Sequence, residues 1–372
     1  MTHRERMETA WSHLEPDRVP IELGVPTAVR KHPKAGRLCE LADQYATDFG
    51  WAPAPDWGFL GLPLETSEEV IEDVPGQFQR KRRIHRTPVG EFTALTYHPA
   101  GNPDYHWEKR FVETLDDLIR VVEAPRLPCA FDADAFRKAY DAADGVPLTS
   151  LFHPLGYLAR SSAMENVYGW FAREPDLIHR YLEVANRQTI ETIEAMGRSG
   201  LRPNVMMWAH EMLIPPWLGH RHFDEFVFPY DKTVFDAVHA IGGRVRIHSH
   251  GDCMDFLVKM ADMGVDSIEP LEPPPAANCD LAEAKRIVGD RMLLSGNIVS
   301  QQFYSSTPEQ VRVEVREAIR DAAPGGGFSL KSTGGMCVGA IAMTDEQAES
   351  EIACYEAYIL AGLEFGDYPI RL

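Results

Sequence analysis

No run of apolar residues in this 372-residue chain approaches the roughly 20 needed to cross a bilayer as a helix. The opening MTHRERMETAWSHLEPDRVP is polar and lacks the apolar stretch of a secretory signal. A cytoplasmic protein with no membrane contact is therefore expected. Cysteine is sparse: Cys39, Cys129, Cys253, Cys279, Cys337 and Cys354, with no C-x-x-C spacing. Six thiols in so long a chain do not make a disulfide framework. Positive charge is also short, with Lys+Arg 37 against Asp+Glu 56 and a net charge of -19. Such a chain repels nucleic-acid phosphates and anionic lipids unless it carries a basic patch. Its one basic cluster, RKRRIHR over 80–86, reads as a strand face in a hairpin. No G-x-G-x-x-G follows a strand-like run, which weakens a dinucleotide-binding fold. Neither an internal repeat nor a low-complexity tract is present.

What the chain does contain is a change of pattern. Up to about residue 140 it is irregular, rich in Pro, Trp and Gly (WAPAPDWGFLGLP, 51–63), and holds the antiparallel hairpin GQFQRKRRIHRTPVGEFTALTYH. From 141 onward short strand-like runs alternate with amphipathic helices: VPLTSLFH, PNVMMWAHE, GRVRIHSH, VDSIEP, RMLLSGNI and GFSLKST. RVPIEL (18–23) is a further candidate strand. FDEFVFPYDKTVFDAVHAIG, CMDFLVKMADMG and LAEAKRIVGD read as intervening helices, each ending at glycine. Alternating strands and helices imply parallel strands with helical crossovers. The expected fold is α/β: one (β/α)8 TIM barrel over 1–372, with residues 1–140 as N-terminal extension and inserted antiparallel β-hairpin, and 141–372 as the main run of β/α units.

In such a barrel the chemistry sits at the C-terminal strand ends. Those ends carry His153, then His210 and Glu211, then His248 and His250, then Glu269 and Glu272, then Asn297, then Lys331 with Ser332. His248 and His250, two apart on a strand, face the same side and could share a metal ion. The competing reading gives one a backbone hydrogen bond and the other a helix cap. Glu211, Glu272, Cys253 and Cys337 are the further ligand candidates, with Cys253 read as structural and Cys337 equally open to a packing role. Glu269 and Glu272 lie in the proline-stiffened IEPLEPPP, where one could orient an imidazole. Asn297 could orient a substrate carbonyl or carboxylate.

RERMETAWSHLEPDRVPIELG, FPYDKTVFDAVHAIGGRVRIHSHGD, MGVDSIEPLEPP and LAEAKRIVGDRMLLSGNI, in this order, resemble the uroporphyrinogen decarboxylase superfamily. The resemblance spans nearly the whole chain and implies a single barrel. The arginine-rich R-Q-A-G-R-Y segment of the haem-pathway decarboxylases is replaced by IELGVPTAVRKHPKAGR. The methyltransferase-like branch is the nearer match. It implies zinc on a His-x-Cys pair and a later Cys: His248 matches the first ligand, His250 stands in the Cys place, and Cys337 lies a few residues past the last.

The leading expectation is thus a zinc-dependent methyltransferase with metal ligands His248, His250, Cys337 and Glu211, and catalytic residues Glu211, Glu272, Asn297 and Lys331. It would move a methyl group from a small O- or N-methyl compound to tetrahydrofolate, a thiol, or a corrinoid on a separate protein. The alternatives are a metal-free decarboxylase-like enzyme, with His248, His250 and Lys331 handling an acidic substrate, and a non-catalytic ligand-binding barrel. A homodimer is the base-rate expectation for assembly.

Overall fold

A computed structural model describes residues 1–47, 49–102, 104–341 and 343–372. Its strands are β1 (Ile21–Glu22), β2 (Glu65–Val74), β3 (Phe78–Thr87), β4 (Gly90–Pro99), β5 (His106–Lys109), β6 (Leu148–Phe152), β7 (Asn204–Trp208), β8 (Val245–Ser249), β9 (Ser267–Pro270), β10 (Leu293–Ile298) and β11 (Phe328–Ser332). Seven of them form one parallel sheet in the order β1-β11-β10-β9-β8-β7-β6. Every strand-like run read from residue 141 onward lies in it, and RVPIEL supplies β1, so the N-terminal third contributes to the same sheet.

An eight-stranded barrel is met in part. The seven strands curve into part of a barrel, and the outer two, β1 and β6, both reach the segment 47–52. Thr47 N–H donates to Ile21 O (2.6 Å) and Leu148 N–H to Gly50 O (2.9 Å). Among the described residues this segment makes single bridges and no strand. The reason is in its sequence: Gly50, Pro53 and Pro55 weaken or remove ladder bonds.

The helices start where capping chemistry says they should. Thr307 and Gln310 form a reciprocal capping box at the head of the helix Pro308–Ala322, as Thr344 and Gln347 do for Asp345–Phe365. One expected helix is two. FDEFVFPYDKTVFDAVHA breaks at Val227 into His220–Phe226 and Phe228–Ala240, because Pro229 cannot donate to the preceding turn and starts a new helix instead. Apolar faces such as Val234, Phe235 and Val238, or Val311, Val315 and Ile319, bury against the sheet through Val245, Ile247, Leu294 and Leu330.

The expected hairpin is β3 and β4, in a four-stranded antiparallel sheet ordered β2-β3-β4-β5. The basic cluster is neutralised within that sheet: Arg82 meets Glu69 at 2.7 Å, Arg83 meets Glu68 at 3.0 Å and Arg86 meets Glu91 at 2.8 Å. No helix among the described residues is long and apolar enough to cross a membrane.

Candidate active site

Strand β8 carries the site. Arg246, His248 and His250 alternate along its end, so all three side chains take the same face. They open into a cavity of about 400 Å³ at the C-terminal ends of the strands. Glu22 from β1, Glu269 from β9 and Lys331 from β11 complete its polar wall. Phe49, Trp51, Leu148, Met206 and Trp208 form its apolar lining, and the turn 332–336 closes one side.

Each histidine has its own carboxylate. His248 Nδ1 lies 2.8 Å from Glu269 Oε1, and His250 Nδ1 lies 3.0 Å from Glu272 Oε1. A carboxylate on Nδ1 fixes the proton there and leaves Nε2 as the ring nitrogen free for chemistry. The two rings stand edge to face with centroids 4.6 Å apart. The hydrogen bond that the ring donates to Glu272 raises the His250 pKa above the ordinary imidazole value, against a smaller opposing effect of burial. Burial pushes the Glu272 carboxyl up, but the His250 ring outweighs it and the net shift is downward.

Beneath the imidazoles lies an ion cluster. Arg246 is fully buried and bonds Glu22 through two nitrogens, at 2.7 and 3.3 Å. Ser295 and Ser329 hydroxyls also donate to Glu22, at 2.7 and 2.5 Å. Lys331 Nζ sits 2.9 Å from Glu269 Oε2 and 3.7 Å from Glu22. Burial would raise the Glu269 carboxyl, yet Lys331, His248 and Arg246 hold it well below its ordinary range. The Lys331 ammonium, disfavoured by burial, is held charged by Glu269 and Glu22. The two cations and two carboxylates cancel.

The remaining candidates lie elsewhere. His153 and His210, both fully buried, face Asp231 on the helix Phe228–Ala240, at 2.6 and 3.4 Å. His153 Nδ1 accepts the Leu155 amide (3.1 Å), which leaves Nε2 as its protonated nitrogen beside Asp231. Asp231 was not singled out by sequence. It holds the corner where Ala209 turns with φ +69°, against Gly156, whose missing Cβ leaves room for the Ala209 carbonyl. Glu211, one residue on, lies 3.5 Å from Arg160 and acts on His250 only through its charge. Asn297 faces a separate cleft with Pro273–Pro275 and Glu314. Cys337 donates its amide to Glu351 (2.6 Å), and burial pushes its thiol up.

A metal has little to hold it. Among the described residues no group of three or more His, Cys, Asp and Glu is placed to bind an ion. The two Nε2 atoms are two donors, whereas a catalytic zinc takes three protein ligands and a water. Glu211 and Cys337, expected to complete the set, are absent from the cavity wall. The residues present do not fit a resident zinc. Glu22, Arg246, Trp51 and Trp208 are the site residues that sequence reading passed over. A charged residue inside the apolar run VPIEL, and an arginine in step with His248 and His250, were the available signals.

A family model described as Uroporphyrinogen decarboxylase (URO-D) matches residues 94–340. The chain belongs to the uroporphyrinogen decarboxylase family. Within this family it is 27% identical over 172 residues to a uroporphyrinogen decarboxylase of Dechloromonas aromatica (strain RCB), covering 44% of each chain. It is also 22% identical over 214 residues to the methylcobamide:CoM methyltransferase MtaA of Methanosarcina barkeri, covering 56% of this chain and 60% of that one. The matched segments span less than two thirds of these relatives' lengths. A methyltransferase structure from Methanosarcina mazei superposes with a TM-score of 0.56 at 16% identity, covering 98% of this chain and 99% of that one. That likeness is one of fold. Family members with both chemistries are thus similar to this chain.

Proposed function

We propose that the protein is a methyltransferase that takes a methyl group from a small, uncharged O-methyl compound. The observation that carries this reading is the pairing of every strand-borne cation in the cavity. A decarboxylase acting on a polycarboxylate needs cations free to grip the substrate. Arg246 and Lys331 are instead committed to Glu22 and Glu269. A neutral substrate asks nothing of them.

In this reading His250, charged and held by Glu272, is the general acid. The methyl carbon–oxygen bond breaks with its electron pair left on oxygen. The oxygen takes the Nε2 proton of His250, which solvent later restores. The methyl group passes to a nucleophilic acceptor: a thiolate, tetrahydrofolate, or a corrinoid on a separate protein. His248, fixed by Glu269, orients the donor oxygen. No step is assigned to a metal, since the donor set does not fit one.

The test supplies a deuteromethyl ether with each acceptor in turn and follows labelled product by mass spectrometry. Methylated acceptor should form with wild type, and His250→Asn should lower its rate by roughly 10²–10⁴-fold. Carbon dioxide released from a polycarboxylate, with no methyl transfer to any acceptor, would overturn the assignment.

A further inference from the structure

Beside the imidazoles the cavity is walled by indoles. Trp51 and Trp208 stack with centroids 5.9 Å apart and planes 23° from parallel. Trp208 in turn packs on His248, centroid to centroid 4.9 Å. The wall is pre-formed. Trp208 Nε1 donates to the Ser150 hydroxyl (3.1 Å), and the Trp51 backbone is pinned to β6, where Ala52 N–H meets Leu148 O at 2.9 Å. Yet Trp51 remains 48% exposed. A half-exposed indole, rigidly stacked in the wall of a binding cavity, offers a flat apolar face that a planar ring would cover.

From this we infer that the methyl donor is an aryl methyl ether, its ring laid against the exposed Trp51 indole and its oxygen turned toward the imidazoles. The inference rests on the methyl-transfer reading above and names its substrate class. Two further observations favour an arene. The charges of Arg246, Lys331, Glu22 and Glu269 cancel, so a neutral ring enters without leaving a buried charge unpaired. The leaving group is then a phenol, which ionises at about pH 10, far more readily than an aliphatic alcohol. An imidazole is a closer match to that oxygen than to an alkoxide. In balance, the methyl–oxygen bond breaks, the acceptor–methyl bond forms, and the phenolate oxygen keeps the pair and receives the proton.

The experiment is calorimetric binding of anisole and guaiacol, with methoxycyclohexane as the non-planar control, to wild type, Trp51→Ala and Trp51→Phe. Trp51 lies at the cavity rim, so its truncation should leave folding intact, which circular dichroism checks. The aryl ethers should bind at least several-fold tighter than the cyclohexyl ether. Trp51→Ala should weaken aryl binding by roughly three- to tenfold, and Trp51→Phe should restore most of it. Equal affinity for flat and puckered ethers, no binding of either, or indifference to Trp51→Ala would each overturn the inference. Aryl binding as described, with no methyl loss to any acceptor, would sink the methyltransferase reading while leaving the binding site in place. Methyl loss from aliphatic ethers without dependence on Trp51 would do the reverse.

Discussion

Replacing Glu22 by leucine should destabilise the protein far more than a strand-end substitution ordinarily does. Arg246 is fully buried and Glu22 is its bidentate partner. Removing one member of a buried pair typically costs about 3–5 kcal/mol, because the remaining charge has no solvent. Glu269 Oε2 stands 3.7 Å from Arg246 and offers partial replacement, which places the expected loss at the lower end, about 3 kcal/mol. Ser295 and Ser329 would also lose their shared acceptor. Urea unfolding followed by circular dichroism reads the change as a fall in midpoint of about 1 M, for a slope of about 3 kcal/mol/M. The double variant Glu22→Leu with Arg246→Met should recover most of it, since an apolar pair of similar volume removes both charges. A single variant within about 1 kcal/mol of wild type, or a double variant no better than the single, would show that the arginine finds solvent or another partner and that this cluster is not what holds β1 to the sheet.

Activity should fall as pH rises through the raised His250 pKa, and Glu272→Gln should move that limb to lower pH; a limb that stays put would remove Glu272 from the pairing. The linked stability has two edges: the His250 contribution is complete below the ordinary imidazole pKa and lost as pH climbs through the raised one, while that of Glu272 is present above the ordinary carboxyl pKa and lost as pH falls through its lowered one, so a pH series of thermal melts on wild type and His250→Gln should differ most between them. Asp231→Ala strands two buried histidines and should cost about 1–3 kcal/mol in chemical unfolding; an unchanged midpoint would show that His153 and His210 find other partners. Added zinc should bind weakly and be lost in His248→Ala with His250→Ala; a full equivalent retained through purification would mean that Cys337 or Glu211 swings in as a third donor.

The alternation of strand and helix was legible because it is written in local periodicity, and the sheet follows it from β6 to β11. The His248 and His250 juxtaposition was legible for the same reason: a strand puts i and i+2 together whatever surrounds it. What the chain does not write locally is closure. Glu22 and Arg246 lie 224 residues apart, and only the sheet order brings β1 to the cavity side of β8. The irregular stretch around Gly50 and Pro53 carries no strand pattern, yet Thr47 bonds β1 and Gly50 bonds β6. His153 and His210 sit at strand ends as expected, but Asp231 draws both into the core, away from the cavity. Glu211 and Cys337 lie off the cavity wall for a related reason. Spacing along the chain places them near the mouth, while Arg160 and Glu351 decide where their polar groups point.

Two departures separate this cavity from the thiolate-lined site that its resemblance implied: His250 in the place of a cysteine, and Cys337 off the cavity wall. With cysteine beside His248, the pair would be a soft donor set suited to holding zinc against a thiol. Here His250 takes that place, and Glu272, three residues beyond Glu269, lies 3.0 Å from its ring. The carboxylate that a thiolate would repel becomes a partner for an imidazole. Proline-stiffened IEPLEPPP therefore serves both histidines at once, Glu269 on one and Glu272 on the other. The hydrogen bond to Glu272 raises the affinity of the His250 ring for a second proton, and that proton competes with an ion for Nε2. If His250→Cys, with Cys337 left as it is, gained a tightly held zinc while losing its high-pH limb, the exchange of proton donor for metal ligand would be reproduced at that single residue.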